Sequence, residues 1–194
     1  VNGAYSIISG AYDGSSYSSK AGQDFGATIT GALNSIESKT AESDYSGVAN
    51  SIVGTANRTF NSNGSLIFGA GNEITNSVTT IAAPSGGGNS AKELAETLRG
   101  IIRDADGGGA TLAVGGGNKA DYTRASQLIG VNNTLTGTAG SVSDYNMING
   151  YKNTASQVSH VSVTGSKNTV TNTKDAVVMG NKRDLSGASG SIVL

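Results

Sequence analysis

The chain has 194 residues, with 29 Gly, one Pro, no Cys and no Trp, a charged fraction of 14% and a formal net charge of −1. These values exclude a disulfide framework and a thiolate metal site, give no basic footprint for nucleic acid or an anionic membrane surface, and lack the high charge of an ordinary disordered chain. No apolar run approaches the ~20 residues of a membrane helix, and Val1-Asn2-Gly3 does not start a signal peptide, so the sequence reads as a mature segment or a fragment.

A glycine recurs at Gly10, Gly31, Gly54, Gly69, Gly115, Gly130, Gly150, Gly165 and Gly180, at spacings of 21, 23, 15, 46, 15, 20, 15 and 15 residues. A 15-residue unit with insertions is the mark of a solenoid. Two places before each glycine stand Ile8, Ile29, Ile52, Ile67, Ala113, Leu128, Ile148, Val163 and Val178. Three places after stand Asp13, Asn34, Asn57, Asn72, Asn118, Asn133, Asn153, Asn168 and Arg183. Five places after stand Ser15, Ile36, Thr59, Ile74, Ala120, Leu135, Ala155, Val170 and Leu185. Alternate side chains of a strand point to opposite faces, so positions −2 and +5 predict two short strands facing one narrow interior. Glycine and asparagine are expected to mark the bend between them, and stacked asparagines to bond along the stack.

Taken along the chain, the first unit is followed by an insertion over about 11–25 holding Tyr12, Tyr17, Lys20, Asp24 and Phe25. The Gly31 unit leads to a second insertion, about 37–47, with Glu37, Lys39, Glu42, Asp44 and Tyr45. After the units at Gly54 and Gly69, a degenerate coil is expected over Val78 to Ala83, and then a third insertion, about 85–110, carries a helix over about 90–105. Ser90 with Glu93 forms a capping box, and Ala91, Leu94, Ala95, Leu98, Ile101, Ile102 and Ala105 share one apolar face. That face docks on the roll or on partner chains, or the helix captures a receptor with Lys92, Glu96, Arg99 and Arg103 on its polar flank. The Gly130 unit is followed by an insertion over about 136–145 with Asp144 and Tyr145, and regular units close the chain. Loops on a rigid scaffold carry recognition, and Tyr recurs at interfaces; the same Tyr would also serve to cap apolar edges. Tyr12, Tyr17, Tyr45, Arg99, Arg103 and Tyr145 are the expected receptor-binding residues.

The opposite strand face, at −3 and −1, carries Val53, Leu66, Phe68, Leu112, Val114, Ile129, Val177 and Met179. Strands apolar on both faces need a second partner, and another copy of the same solenoid is the simplest one. Self-association through these eight residues follows, with its order left open.

The segments Ser65-Leu-Ile-Phe-Gly-Ala-Gly-Asn-Glu-Ile74, Thr111-Leu-Ala-Val-Gly-Gly-Gly-Asn-Lys-Ala120 and Ala176-Val-Val-Met-Gly-Asn-Lys-Arg-Asp-Leu185 resemble the head repeats of YadA-like trimeric autotransporter adhesins. The resemblance covers nearly the whole chain. It implies an all-β solenoid, a left-handed parallel β-roll of ~15-residue coils over 1–194, with three chains packed side by side. It also implies a bacterial cell-surface location, outer-membrane anchoring in the full-length protein, and virulence-related adhesion to a host matrix protein such as collagen or to an immunoglobulin-like receptor. The family's stalk and membrane anchor are absent from the sequence, so no direct membrane contact and no nucleic-acid partner are expected. The alternative is a structural spacer or a bacterial self-association module.

Catalysis is not expected, and no cofactor or metal site is predicted. His160 is the only histidine, so any Ser-His-Asp triad has to use it. Asp104-Ala105-Asp106-Gly107 starts like a calcium loop but lacks its later oxygen ligands. Gly86–Gly88 and Gly115–Gly117 lack the context of phosphate loops. A flat Thr-x-Thr array, the mark of an ice-binding solenoid, is not expected either.

Overall fold

The computed structural model describes residues 1–9, 23–38, 46–81, 83–84, 90–105 and 111–194. Gly10, Asp13 and Ser15 lie outside the described residues, as do Tyr12, Tyr17 and Tyr45 and the glycine runs at 86–88 and 107–109. The first coil is set by Gly3 and not by Gly10: Asn2 bridges Thr30, and Ile8 pairs with Ile36, so Ile8 stands at +5 and not at −2.

Each 15-residue unit contributes one longer and one shorter strand, and the two kinds are sorted into two parallel sheets. The longer strands run from Thr28–Ala32 through Ser51–Thr55, Leu66–Ala70, Leu112–Gly116, Gln127–Val131 and Met147–Tyr151 to Ser159–Ser166 and Lys174–Asn181. The shorter strands run from Ile7–Ser9 and Ser35–Glu37 to Thr169–Thr171 and Asp184–Ser186. Glycine pairs with glycine all along the first sheet, from Gly31 with Gly54 to Gly165 with Gly180. The described residues are thus mostly β with one helix, and their stacked, in-register coils are compatible with a β-roll.

The interior holds the residues expected there. Ile29, Ile52, Ile67, Ala113, Leu128, Ile148, Val163 and Val178 from one sheet meet Ile36, Ile74, Ala120, Leu135, Ala155 and Val170 from the other, all at most 2% exposed. Each buried Ile, Leu or Val side chain contributes ~1.5–3 kcal/mol by leaving water. Thr59, the polar exception at +5, is also fully buried, and its hydroxyl accepts from Asn50 Nδ2 at 3.3 Å.

The asparagines form a continuous interior ladder. Oδ1 of each one accepts both the backbone N–H and the Nδ2 of the next, through Asn34, Asn57, Asn72, Asn118, Asn133, Asn153 and Asn168, at 2.9–3.1 Å. Each Nδ2 also donates to the glycine carbonyl one coil further on, as from Asn133 to Gly150 O at 2.9 Å. Every amide is therefore satisfied where an unpaired buried one would cost ~1–3 kcal/mol.

The bend follows the sequence expectation in part: the glycine takes positive φ, +117° to +140° from Gly31 to Gly180, but the ladder asparagine does not. The left-handed corner falls instead to position +2, where Leu33, Ala56, Asn132, Lys152, Lys167 and Lys182 have φ between +52° and +59°. Two further left-handed corners sit at +7, with Asn61, Asn76, Tyr122, Gln157 and Asn172, and at −5, with Ala49, Ala125, Tyr145, His160 and Asp175. Three such corners per coil admit non-glycine residues because each is a single left-handed residue between extended segments. The glycine is needed for another reason: at Gly165 (φ +130°) a Cβ would lie 1.8 Å from the carbonyl oxygen of Gly180. Asparagine is chosen for the ladder, not for its backbone tolerance.

A third, shorter side of the coil adds interior positions at +8 and −4, filled mostly by polar residues the apolar pattern did not reveal and, near the end of the stack, by Val158, Val161 and Ala176. Ser62, Ser77, Thr123, Ser143 and Thr173 occupy the first column, and Asn50, Ser65, Thr111, Ser126 and Asn146 the second, all buried. The Thr123 hydroxyl meets both Ser77 Oγ at 2.9 Å and Thr111 Oγ1 at 2.7 Å, bringing the two ends of the long insertion together. The expected degenerate coil over Val78 to Ala83 forms no strand among its described residues. Instead, Asn63 Nδ2 donates to the carbonyls of Thr79 and Ile81, both at 3.0 Å.

Candidate functional site

The outer face of the longer-strand sheet is the first candidate surface. Val53, Phe68, Val114 and Ile129 are direct neighbours across four successive strands, with Leu66 and Leu112 paired beside them. Phe68 is 43% and Val53 37% exposed, so this row is an apolar surface uncovered in the single chain. Val177 and Met179 lie on the same face but apart from the row. Asn149 and Thr164 intervene between Ile129 and Met179. Six of the eight expected interface residues are thus brought together, and two form a separate patch near the last coil.

The insertion over about 136–145 folds as a tight loop closed by reciprocal backbone bonds between Thr138 and Ser141, at 2.9 and 3.1 Å. It leads into Tyr145, whose ring stacks on His160 one coil further on, at 4.9 Å between centroids and 13° between planes. The neighbouring column runs Arg124, Asp144, Ser159, Lys174. Asp144 takes Arg124 Nη2 at 3.4 Å and the Ser159 hydroxyl at 2.6 Å. A cleft of about 230 Å³ opens between the loop, Asp144, Ser159 and Lys174. Tyr145 is 47% exposed, placing an aromatic face beside a polar cleft.

Ser159, His160 and Asp175 share this corner without forming a relay. Ser159 Oγ and Asp175 Oδ1 both approach Nδ1 of His160, at 3.0 and 3.8 Å, whereas a relay uses the two ring nitrogens separately. The Ser159 proton is committed to Asp144. No group of three or more His, Cys, Asp or Glu side chains is placed to hold a metal ion among the described residues.

The helix spans Ala91–Asp104 and starts at the expected capping box. The Ser90 side chain accepts from Glu93 N, and the Glu93 carboxylate accepts from Ser90 N at 2.6 Å. That backbone hydrogen bond holds the Glu93 carboxyl below its usual value. No residue of the helix is buried; Leu94, Leu98, Ile101 and Ile102 are half-covered, with an apolar gap of about 270 Å³ between Phe25 and the first turns. Arg99 and Arg103 are exposed and make no ion pair with a described residue. The helix and the Tyr145 corner are separate surfaces, and nothing described brings their expected binding residues together.

Two charged columns lie on the roll where sequence reasoning saw scattered charges. On the shorter-strand sheet, Arg58 bridges Glu37 and Glu73 at 2.9 Å to each, and Lys119 continues the column at 4.0 Å from Glu73. The Arg58 hydrogen bond holds the Glu37 carboxyl below its usual value. The second column is Lys152, Lys167 and Lys182, all at +2, which a count every 15 residues would have found. Next to it the sheet carries Thr134-Leu135-Thr136, Thr154-Ala155-Ser156 and Thr169-Val170-Thr171 in register. A three-rank Thr-x-Thr/Ser array therefore exists, contrary to expectation. Its residues stand at +4 and +6, where the other coils place unlike side chains such as Arg58 with Phe60 and Lys119 with Asp121.

No family model, curated protein or solved structure matches the chain.

Proposed function

We propose that the chain is the head of a bacterial surface adhesin of the YadA-like kind, a left-handed parallel β-roll that assembles side by side as a homotrimer. The observation that carries the reading is the uncovered apolar row Val53, Phe68, Val114 and Ile129 on a sheet whose other face is already filled. A strand apolar on both faces calls for a second layer, and identical rolls related by rotation supply it. The repeated Gly-x-x-Asn units support that family reading, and the rigid stack suits presentation away from the cell.

The adhesive step in this reading is non-covalent binding of a host matrix protein or cell-surface receptor at the Tyr145 corner. The stacked Tyr145 and His160 rings present an aromatic surface on rigid backbone, next to a cleft lined by both Asp144 and Lys174. Three copies per trimer convert weak single contacts into avidity.

The test is binding of the chain to host-cell monolayers and to immobilised matrix proteins, with the Tyr145→Ser/His160→Ser variant beside the parent. Adhesion by the parent and its loss in a variant of unchanged mass supports the reading. A variant that binds as well as the parent removes the corner from it, and a parent that binds no cell or matrix surface overturns it.

A further inference from the structure

We propose that the corner carrying Lys152, Lys167 and Lys182 is a binding ridge for a linear sulfated polysaccharide. The three lysines occupy the same left-handed corner of three successive coils, with φ of +52°, +56° and +55°. Backbone bonds fix the stack: Lys152 N donates to Val131 O, Lys167 N to Tyr151 O and Lys182 N to Ser166 O, at 2.8–2.9 Å. Their backbones therefore follow one another at the interstrand step of about 4.8 Å. All three are exposed, and none makes an ion pair with a described residue. The one contact to an ammonium here is that of Lys152 over the Tyr151 ring, 5.1 Å from its centroid.

The surroundings reinforce a single sign of charge. Arg183, in the last coil, stands exposed where the seven coils from Asn34 to Asn168 carry a buried ladder asparagine, and adds a fourth cation to the end of the ridge. Among the residues at +1, +3 and +4 of these coils, the only acid is Asp184. Contrast the column Glu37, Arg58, Glu73 and Lys119, where signs alternate and each charge meets its opposite. Like charges on adjacent strands repel, so a one-sign column of cations on a chain of net charge −1 is suited to an anion that arrives from outside.

The shape of the ridge selects the class of anion. Its cations repeat over about 10 Å along the roll axis, and a chain laid along that axis meets one cation per coil. The flanking groups are those that bind sugars: the exposed hydroxyls of Thr154 and Thr169 on one side and the half-exposed ring of Tyr151 on the other. Sulfate groups at intervals on a linear sugar chain take the ammoniums, and the sugar hydroxyls take the threonines. A nucleic acid fits less well, because the chain has a net charge of −1 and the ridge offers one aromatic ring, not a row of stacking platforms. The ridge belongs to the single chain, so the proposal stands or falls separately from the adhesin reading.

The experiment is titration of residues 1–194 with a heparin oligosaccharide at about 50 mM and about 200 mM salt. The parent is expected to bind and to weaken by about tenfold or more between the two, as three neutralised cations release their counterions. The Lys152→Gln/Lys167→Gln/Lys182→Gln variant is expected to lose at least about tenfold at low salt and most of the salt dependence. Gln is compatible with the corner, since Gln157 has φ +52° on the same roll. The Lys92→Gln/Lys119→Gln variant should bind like the parent, and desulfated heparin should not bind. The single Lys167→Gln variant, with a smaller loss in the same direction, serves if the triple variant is unfolded by circular dichroism. No heparin binding by the parent, unchanged binding by the lysine variants, or tighter binding of a DNA duplex of similar length would each overturn the proposal.

Discussion

The Nδ2 of Asn118 donates to the Oδ1 of Asn72 across 2.9 Å, although 46 residues of chain separate the two. The long insertion between Asn72 and Asn118, which carries the helix, breaks neither the ladder nor the pairing of Gly69 with Gly115. Thr123 touches both ends of the excursion, through Ser77 and Thr111. Replacement of residues 82–110 by a short Gly-Ser linker should therefore leave a β-rich protein with one cooperative thermal transition. Loss of the transition in circular dichroism would show that the helix is part of the folding core.

Asn133 holds four of these interior bonds: its Oδ1 accepts from N and Nδ2 of Asn153, and its Nδ2 donates to Asn118 Oδ1 and Gly150 O. Asn133→Ala leaves several buried groups without partners, so a loss of ~2–4 kcal/mol is expected in urea unfolding. A change under ~0.5 kcal/mol, typical of an exposed site, would mean the ladder contributes little.

Gly165→Ala is a sharper case, because no side-chain rearrangement can relieve it. The added Cβ would meet the Gly180 carbonyl oxygen at 1.8 Å, at a φ of +130°. Either the strand pairing opens or the chain does not fold, and a loss of about 4 kcal/mol or more is expected. Gly140→Ala, where a Cβ meets nothing within 4 Å, is the matched control and should melt close to the parent.

Much of this was legible in the repeat. Ile52, Ile67 and Leu128 stood at −2, and Asn118 and Asn133 at +3, because a core position and a ladder position allow few residue types. The corners were not legible: Leu33, Ala56, Asn132 and Lys152 share one backbone state and no side-chain chemistry, so no residue pattern marks +2. The interior polar columns were hidden for the opposite reason. Ser77, Thr123 and Ser143 look like surface residues until the third side of the coil turns them inward. The Tyr145 corner was half legible, since an insertion pointed to Tyr145, but its stacking on His160 depends on coil register.

The charge column makes a pH-dependent contribution with a definite sign. Arg58 holds the folded-state carboxyl of Glu37 below its unfolded value, so the stabilisation is present in full above the unfolded pKa of ~4.3 and is lost as pH falls through the lower folded value. With Arg58 and Glu37 about 40% and 33% exposed, the effect is screened to ~0.5 kcal/mol. Glu37→Gln should be less stable than the parent by that amount at neutral pH and should converge with it as the pH falls below the lowered folded-state value of Glu37. A gap independent of pH would assign the difference to packing.

The measurement closest to the central claim is the solution mass of residues 1–194 by light scattering behind size exclusion, for the parent and for Val114→Glu. The apolar row centred on Phe68 and Val114 is proposed to be covered by two further copies of the chain. The parent should then elute at three times the 19.3 kDa chain mass, and Val114→Glu, which puts a charge in the middle of the row, should elute as the folded single chain. A parent that runs at 19.3 kDa at all accessible concentrations would contradict the account.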